Sequence, residues 1–203
     1  MEKKLVIFDC DGVLVDSEVI AHRVDVEMLQ QLGCPLTIEE SIREFTGVNK
    51  QRFQEILYEK YNIEISDDFW EQGQSRILDA FEQDLIALNQ PALSKLTEKN
   101  VSICVASSSH RQRVLKALTV TNQLVYFDDR AIFTSQQVTN GKPAPDLFLF
   151  AATEMGFLPK DCLVIEDSPA GIEAALAANM AVVGFLGGAH AQFSWYQERI
   201  QSY

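Results

Sequence analysis

Leu5-Val6-Ile7-Phe8-Asp9-Cys10-Asp11-Gly12-Val13-Leu14-Val15-Asp16-Ser17-Glu18 is the stretch that decides the architecture. Four apolar, mostly β-type residues run directly into two carboxylates one residue apart and a glycine, the pattern of a buried strand that delivers acids to its C-terminal edge. A strand serving only a core would not end this way.

Working outward, Ser17 to Leu32 places Val19, Ile20, Val24, Met28, Leu29 and Leu32 at helical spacing, and Gly33 and Pro35 stop the run. Thr37-Ile38-Glu39-Glu40 is a capping-box pattern opening a second helix that Gly47 can end, and Gln51 to Tyr61 continue in helical spacing. Ser66 or Asp67 can cap a further helix through Phe69, Trp70, Ile77, Leu78, Phe81 and Leu85. The segment 17–88 therefore reads as helical throughout.

At Asn89-Gln90-Pro91 the rhythm changes. A short helix (Ala92 to Lys99) precedes a strand, Val101 to Ala106, that ends in Ser107-Ser108-Ser109, and Ser109-His110-Arg111-Gln112 opens the next helix with Ser109 as its expected cap. Strand Ala131 to Phe133, helix Pro145 to Met155, strand Cys162 to Ile165, helix Pro169 to Ala178 and strand Ala181 to Phe185 follow. Alternating strands and helices predict right-handed βαβ crossovers and a mainly parallel, doubly wound sheet covered on both faces. The expected organisation is an α/β domain of residues 1–16 and 89–203, with residues 17–88 inserted as an α-helical domain.

The 203 residues suffice for one good core and a smaller second module, since domains cluster at roughly 100–150 residues. Apolar residues at 47%, charged at 23% and aromatic at 9% describe an ordinary folded chain rather than a disordered one. Seventeen Lys and Arg against 29 Asp and Glu leave a formal charge of -12, which argues against a nucleic-acid interface but not against a small anion held at a locally positive site. Cys10, Cys34, Cys104 and Cys162 form no CxxC pair and read as buried reduced thiols. The N-terminus lacks a signal-peptide pattern, and no apolar run reaches the roughly 20 residues of a membrane span. The expectation is a cytoplasmic monomer that engages neither membrane nor nucleic acid.

In open parallel sheets, ligands bind beyond the C-terminal ends of strands. Those ends hold Asp9 and Asp11, then Ser107 to Ser109, then Gly141-Lys142-Pro143, then Glu166-Asp167. Asp9, Asp11, Glu166 and Asp167 cannot all stay ionised close together without a cation, and an all-oxygen set suits Mg²⁺. Ser107, Ser108 and Lys142 supply hydroxyl and backbone donors and a fixed positive charge for a phosphoryl group. Asp9 can then attack phosphorus, while Asp11, two residues on, serves as general acid and base. Each motif alone has a bland alternative: a self-capping turn for Asp9 to Gly12, a helix cap for the serines, a solvated loop for Lys142, an acidic first turn for Glu166-Asp167. Their common placement favours the chemical reading.

The order of these segments resembles the haloacid dehalogenase superfamily of phosphotransferases over almost the whole chain. Asp9-Cys10-Asp11-Gly12-Val13 is similar to that family's first motif, Ser107 to the second, Lys142 in Gly-Lys-Pro-Ala-Pro-Asp to the third, and Ile165-Glu166-Asp167-Ser168-Pro169-Ala170-Gly171 to the fourth. The resemblance implies an Asp9 nucleophile and an Asp11 acid/base. It also implies Mg²⁺ held by Asp9, the Asp11 carbonyl and Asp167, with Glu166 acting through water or from the surrounding shell, and phosphate bound by Ser107 and Lys142. The helical segment is similar to the small cap of the β-phosphoglucomutase-like branch, and its Lys50 and Arg76 stand where relatives carry basic substrate contacts; the alternative is that both are ordinary exposed helix charges. Where the mutases place a histidine in the first cap helix this chain has Ala21, with His22 one place off, which favours hydrolysis. The leading expectation is a Mg²⁺-dependent phosphomonoesterase acting on a sugar phosphate or phosphorylated sugar acid through an aspartyl-phosphate. A sugar phosphomutase and a non-catalytic phosphometabolite-binding module are the alternatives.

Overall fold

The computed structural model describes residues 4–48 and 50–203; residues 1–3 of the expected segment 1–16, and Asn49 of the expected segment 17–88, lie outside the described residues. The chain divides into two units, Met1–Asp16 with Ile86–Tyr203, and Ser17–Leu85.

The first unit is a five-stranded parallel sheet in the order β3-β2-β1-β4-β5, built from β1 (Leu5–Phe8), β2 (Ser102–Ser107), β3 (Ile132–Thr134), β4 (Cys162–Glu166) and β5 (Ala181–Gly184). Strand β1 is central and all four of its residues are buried, which is why it reads as an unbroken apolar run. The two-residue side-chain period puts Leu5, Ile7, Cys104, Ala106, Cys162 and Val164 into one core with Leu147, Phe148 and Ala151 of helix α7 (Asp146–Met155) and Ala174 and Ala175 of helix α8 (Pro169–Ala177). Carried past the strand ends, that same period brings Asp9 and Glu166 to this side of the sheet. The other helices of this unit are α5 (Gln90–Glu98), α6 (Arg111–Val120) and α9 (Ser194–Gln201), giving a sheet with helices on both sides. Strand order reverses at β1, so the switch point where such folds bind ligands falls between β1 and β4.

Residues 86–88, read from the sequence with the helical segment, belong to the α/β unit. The Ile86 carbonyl accepts from the Asp16 N–H at 3.1 Å, and the Leu88 N–H donates to the Leu14 carbonyl at 2.7 Å. Asn89 follows in the left-handed region (φ 56°), where a short polar side chain is tolerated, and its Nδ2 donates to the Val13 carbonyl at 2.8 Å. Backbone pairing to the Asp11–Asp16 turn thus overrides the helical pattern.

The second unit comprises α1 (Glu18–Gln31), α2 (Ile38–Phe45), α3 (Lys50–Tyr61) and α4 (Asp67–Asp84). Thr37 and Glu40 form the expected capping box, and Ser66, rather than Asp67, caps α4 by accepting from the Phe69 N–H. Its core joins Val26, Leu29, Leu36, Phe45, Phe53, Ile56 and Leu57, with Phe53 tilted against Phe45 at 4.5 Å between ring centroids and edge-on to Trp70 at 5.3 Å. Each buried aromatic of this kind stabilises the unit by about 1.5–3 kcal/mol. All four cysteines are free and buried, as expected. Among the described residues no helix is long and apolar enough to cross a membrane.

Candidate active site

Register sets the geometry. Phe8 pairs with Val105 on one side and Ile165 on the other, so Asp9, Ala106 and Glu166 emerge at one level with Ser107 one residue beyond, and the Asp9 N–H still donates to the Ile165 carbonyl at 3.0 Å. Beyond it the chain turns sharply: the Cys10 carbonyl accepts from Leu14 N–H at 2.9 Å and Val15 N–H at 3.1 Å, with Gly12 at φ 77°. A side chain at Gly12 is excluded, because its Cβ would lie 1.8 Å from Asp167 Oδ2.

Lys142 arrives from the loop between β3 and α7. Its ammonium donates to Asp9 Oδ1 at 2.6 Å, Glu166 Oε1 at 2.7 Å and the Ala106 carbonyl at 3.0 Å, so each of its three N–H groups has an acceptor on a different strand end. Phe148 covers it, the ring centroid 4.8 Å from Nζ. Burial alone would pull the lysine pKa down, but Asp9 and then Glu166 outweigh it and hold the ammonium above its ordinary value. Burial pushes the Asp9 carboxyl well above the usual range; Lys142 offsets part of this, and Glu166, Asp167 and Asp11 push it further up. Asp9, Glu166 and Asp167, at 7%, 1% and 3% exposure, are thus three buried carboxylates; the Lys142 ammonium reaches the first two, and Asp167 faces His190.

That imbalance is the test of the expected Mg²⁺. Excess negative charge in a dry, oxygen-only setting fits a hard divalent cation. Among the described residues no three acidic, His or Cys side chains are gathered into a metal-binding group. Glu166 has both oxygens engaged, Oε1 by Lys142 and Oε2 by the Ser168 N–H and hydroxyl at 2.8 and 2.9 Å. Its carboxylate ties the lysine to the start of α8.

Ser107 is buried at the end of β2, and its hydroxyl oxygen accepts from the Ser109 N–H at 3.0 Å. Ser108 is exposed, and its carbonyl accepts from the Ser135 hydroxyl at 2.7 Å. Ser109 does not cap α6 as expected; His110 occupies that position, and the Ser109 hydroxyl instead donates to Asp11 Oδ2 at 2.7 Å. A hydrogen bond to a carboxylate is stronger than one between neutral groups, and it holds Ser109 at the strand end rather than at the cap.

The other Asp11 oxygen, Oδ1, accepts from Arg113 at 2.8 Å (Nη2) and 3.2 Å (Nε). Arg113 went unnoticed in the sequence, although a signal existed: arginines at 111 and 113 in the first turn of a helix oppose its dipole and call for specific partners. Arg111 has them too, in the Ile132 carbonyl and Asp129. His190 and Tyr196 were also missed, because they follow the last predicted strand and match no pattern; His190 Nε2 lies 2.9 Å from Asp167 Oδ2.

Lys50 and Arg76 lie in the helical unit. The Lys50 ammonium is 2.7 Å from Asp67 Oδ1 and 6.0 Å from the centre of the Trp70 ring, whereas Arg76 is an exposed residue of α4. His22 is buried there, with Nδ1 2.9 Å from the Ser41 hydroxyl and Nε2 3.1 Å from that of Thr46.

A parallel, doubly wound sheet whose switch point gathers carboxylates, a buried lysine and a serine-lined strand end places the chain among the α/β folds that carry a polar site at the C-terminal ends of their strands. More particularly, the chain belongs to the haloacid dehalogenase-like hydrolases, whose family model matches residues 6–185. It is 31% identical over 186 residues to 6-phosphogluconate phosphatase of Escherichia coli (strain K12), covering 91% of this chain and 83% of that protein. It is 30% identical over 203 residues to β-phosphoglucomutase of Bacillus subtilis (strain 168), covering 89% and 82%. Among solved structures, a HAD family hydrolase of Deinococcus radiodurans R1 with bound phosphate and sodium superposes with a TM-score of 0.76 at 31% identity, covering 98% of this chain and 88% of the other. The protein is accordingly a phosphoric monoester hydrolase.

Proposed function

We propose that the protein hydrolyses small phosphorylated sugars or sugar acids in a Mg²⁺-dependent reaction that passes through a phosphate ester of Asp9. The observation that carries this reading is the Lys142 ammonium seated on Asp9 Oδ1, Glu166 Oε1 and the Ala106 carbonyl beside Ser107. Asp9, Asp167 and the Asp11 carbonyl would hold Mg²⁺, which when bound neutralises phosphoryl oxygens. Lys142 fixes Asp9 Oδ1 and leaves Oδ2 as the attacking atom, while Ser107 and the N–H groups that follow it receive the phosphoryl oxygens. As the Asp9–phosphorus bond forms, the bond to the leaving oxygen breaks and Asp11 delivers a proton to it. Asp11 then takes a proton from water, which attacks phosphorus and releases Asp9 and inorganic phosphate. Arg113 and Ser109 hold the Asp11 carboxyl in place.

We assign the choice of leaving group to the helical unit, which acts as the cap, with Arg76 as the candidate contact for a second anionic group; Lys50 is already engaged with Asp67. The mutase reading loses support at position 21, an alanine, because the neighbouring His22 is held by Ser41 and Thr46 inside the helical unit. A non-catalytic module has no use for a lysine buried among carboxylates.

The test is hydrolysis of p-nitrophenyl phosphate with Mg²⁺, where Asp9→Asn should lose at least about 10³-fold in kcat/KM. Acid quenching of the parent enzyme should trap phosphate on the protein, and no such species should form in the variant. Parental rates in Asp9→Asn would overturn the reading. The similarity to 6-phosphogluconate phosphatase puts phosphorylated sugar acids first in the substrate panel.

A further inference from the structure

The segment after β5 packs back onto the strand ends. The Gly188 region is anchored where the Ala189 N–H donates to Asp16 Oδ1 at 2.9 Å, and from there His190 enters the interior with no exposed surface. Its Nε2 is 2.9 Å from Asp167 Oδ2. That separation is an ion-pair contact, and the imidazole packs directly against the carboxylate.

Two glycines are shaped around this contact. A Cβ at Gly12 would meet Asp167 Oδ2 at 1.8 Å, Asp167 Cγ at 2.7 Å and His190 Cε1 at 2.9 Å. A Cβ at Gly188 would meet His190 Cε1 at 2.6 Å and Nδ1 at 2.7 Å. The Asp167 carboxylate is therefore wedged between the Gly12 backbone and the imidazole, and the imidazole is in turn wedged against Gly188. Tyr196 of α9 completes the clamp: its ring stands edge-on to His190 (centroids 4.9 Å apart, 89° between planes) and its hydroxyl donates to the Asp167 carbonyl at 3.3 Å. Side chain and main chain of Asp167 are both held by residues of the C-terminal segment.

We propose that His190 is a positioning residue for Asp167, its wedged imidazole 2.9 Å from Oδ2 fixing the rotation of the carboxylate so that it meets the cation in one orientation, with Tyr196 fixing the backbone beneath it. This rests on the reading of Asp167 as a Mg²⁺ ligand. A purely structural His–Asp pair would stabilise the fold and leave cation affinity alone. An orienting one acts on affinity, because an unrestrained carboxylate must be ordered at the moment of binding; partners of this kind are typically worth about 10–100-fold in metal affinity.

The full chain is titrated with Mn²⁺, with free ion read by electron paramagnetic resonance, for the parent and for Asp167→Asn, His190→Phe, His190→Gln and Tyr196→Phe. The parent should bind Mn²⁺ and Asp167→Asn should lose it. His190→Phe keeps a ring but no polar atom, and should weaken binding about tenfold or more, while His190→Gln, which restores a polar group facing the same oxygen, should recover most of the loss. Folded His190→Phe that binds within about twofold of the parent overturns the proposal and leaves the ligand assignment standing. Parental binding by Asp167→Asn overturns the assignment and the proposal together.

A measurement on the unaltered residue covers the case in which His190→Phe does not fold. The buried His190 ring should give carbon-bound proton resonances that shift on adding Mg²⁺ to the parent and not to Asp167→Asn. A resonance that Mg²⁺ leaves in place overturns the proposal.

Discussion

The two units use charge in opposite ways. At the strand ends of the α/β unit the ion pairs are buried or part-buried and join residues far apart in the chain: Lys142 reaches Asp9 across 133 positions, and Arg113 reaches Asp11 across 102. On the helical unit, pairs such as Arg43 with Glu39 at i,i+4 and Arg52 with Glu55 at i,i+3 are exposed and local. Exposed helix pairs are screened by solvent and contribute little, so they can change without harm to the fold. Buried pairs must be complete, since removing one partner strands the other. The contrast separates a chemical centre that tolerates no loss from a surface that is free to be re-specified for another leaving group.

Lys142→Met tests the contrast most severely. It leaves Asp9 and Glu166 buried without their cation, and the expected outcome is a stability loss of about 3–5 kcal/mol in urea unfolding together with loss of phosphatase activity. A variant of parental stability would erase the distinction between the units. Arg113→Ala should come next, with about 1.5–3 kcal/mol lost as Asp11 Oδ1 gives up a charged two-donor contact. Arg113→Lys should recover less than half, because an ammonium cannot reproduce the planar fork.

The smallest effect belongs to the helical unit and appears only at alkaline pH. Burial, then Glu44, push the Tyr61 phenol up to about 12, and its hydroxyl donates to Glu44 Oε2 at 3.2 Å. A folded-state value raised above the unfolded value of about 10 means stability fully present below about pH 10 and lost as pH rises towards 12. Tyr61→Phe should flatten that decline in urea midpoints measured across the interval. An unchanged slope would remove Tyr61 from the account.

Much of this was legible in the chain itself, for identifiable reasons. Leu5 to Asp11 announces a buried strand ending in acids because strand burial and side-chain period are local properties, and Thr37 with Glu40 announces a helix start because a capping box spans one turn. Ile86 to Leu88 were misread because their pairing partners, Asp16 and Leu14, lie on the far side of the helical segment. Ser109 was misread because the local pattern of a helix cap competes with a carboxylate 98 residues away, and the carboxylate prevails. His190 carried no pattern at all.

Sequence alone therefore determined the parallel α/β architecture, the helical insertion, and the roster of strand-end acids, serines and lysine, since each is written in periodicity or in a short motif. Only the tertiary structure decided who holds whom. Lys142 bridges Asp9 and Glu166, Arg113 and Ser109 take Asp11, and His190 takes Asp167. The physical reason is that a buried polar group must be matched wherever the fold supplies a partner, and that partner's place in the chain is set by sheet register and packing rather than by sequence distance.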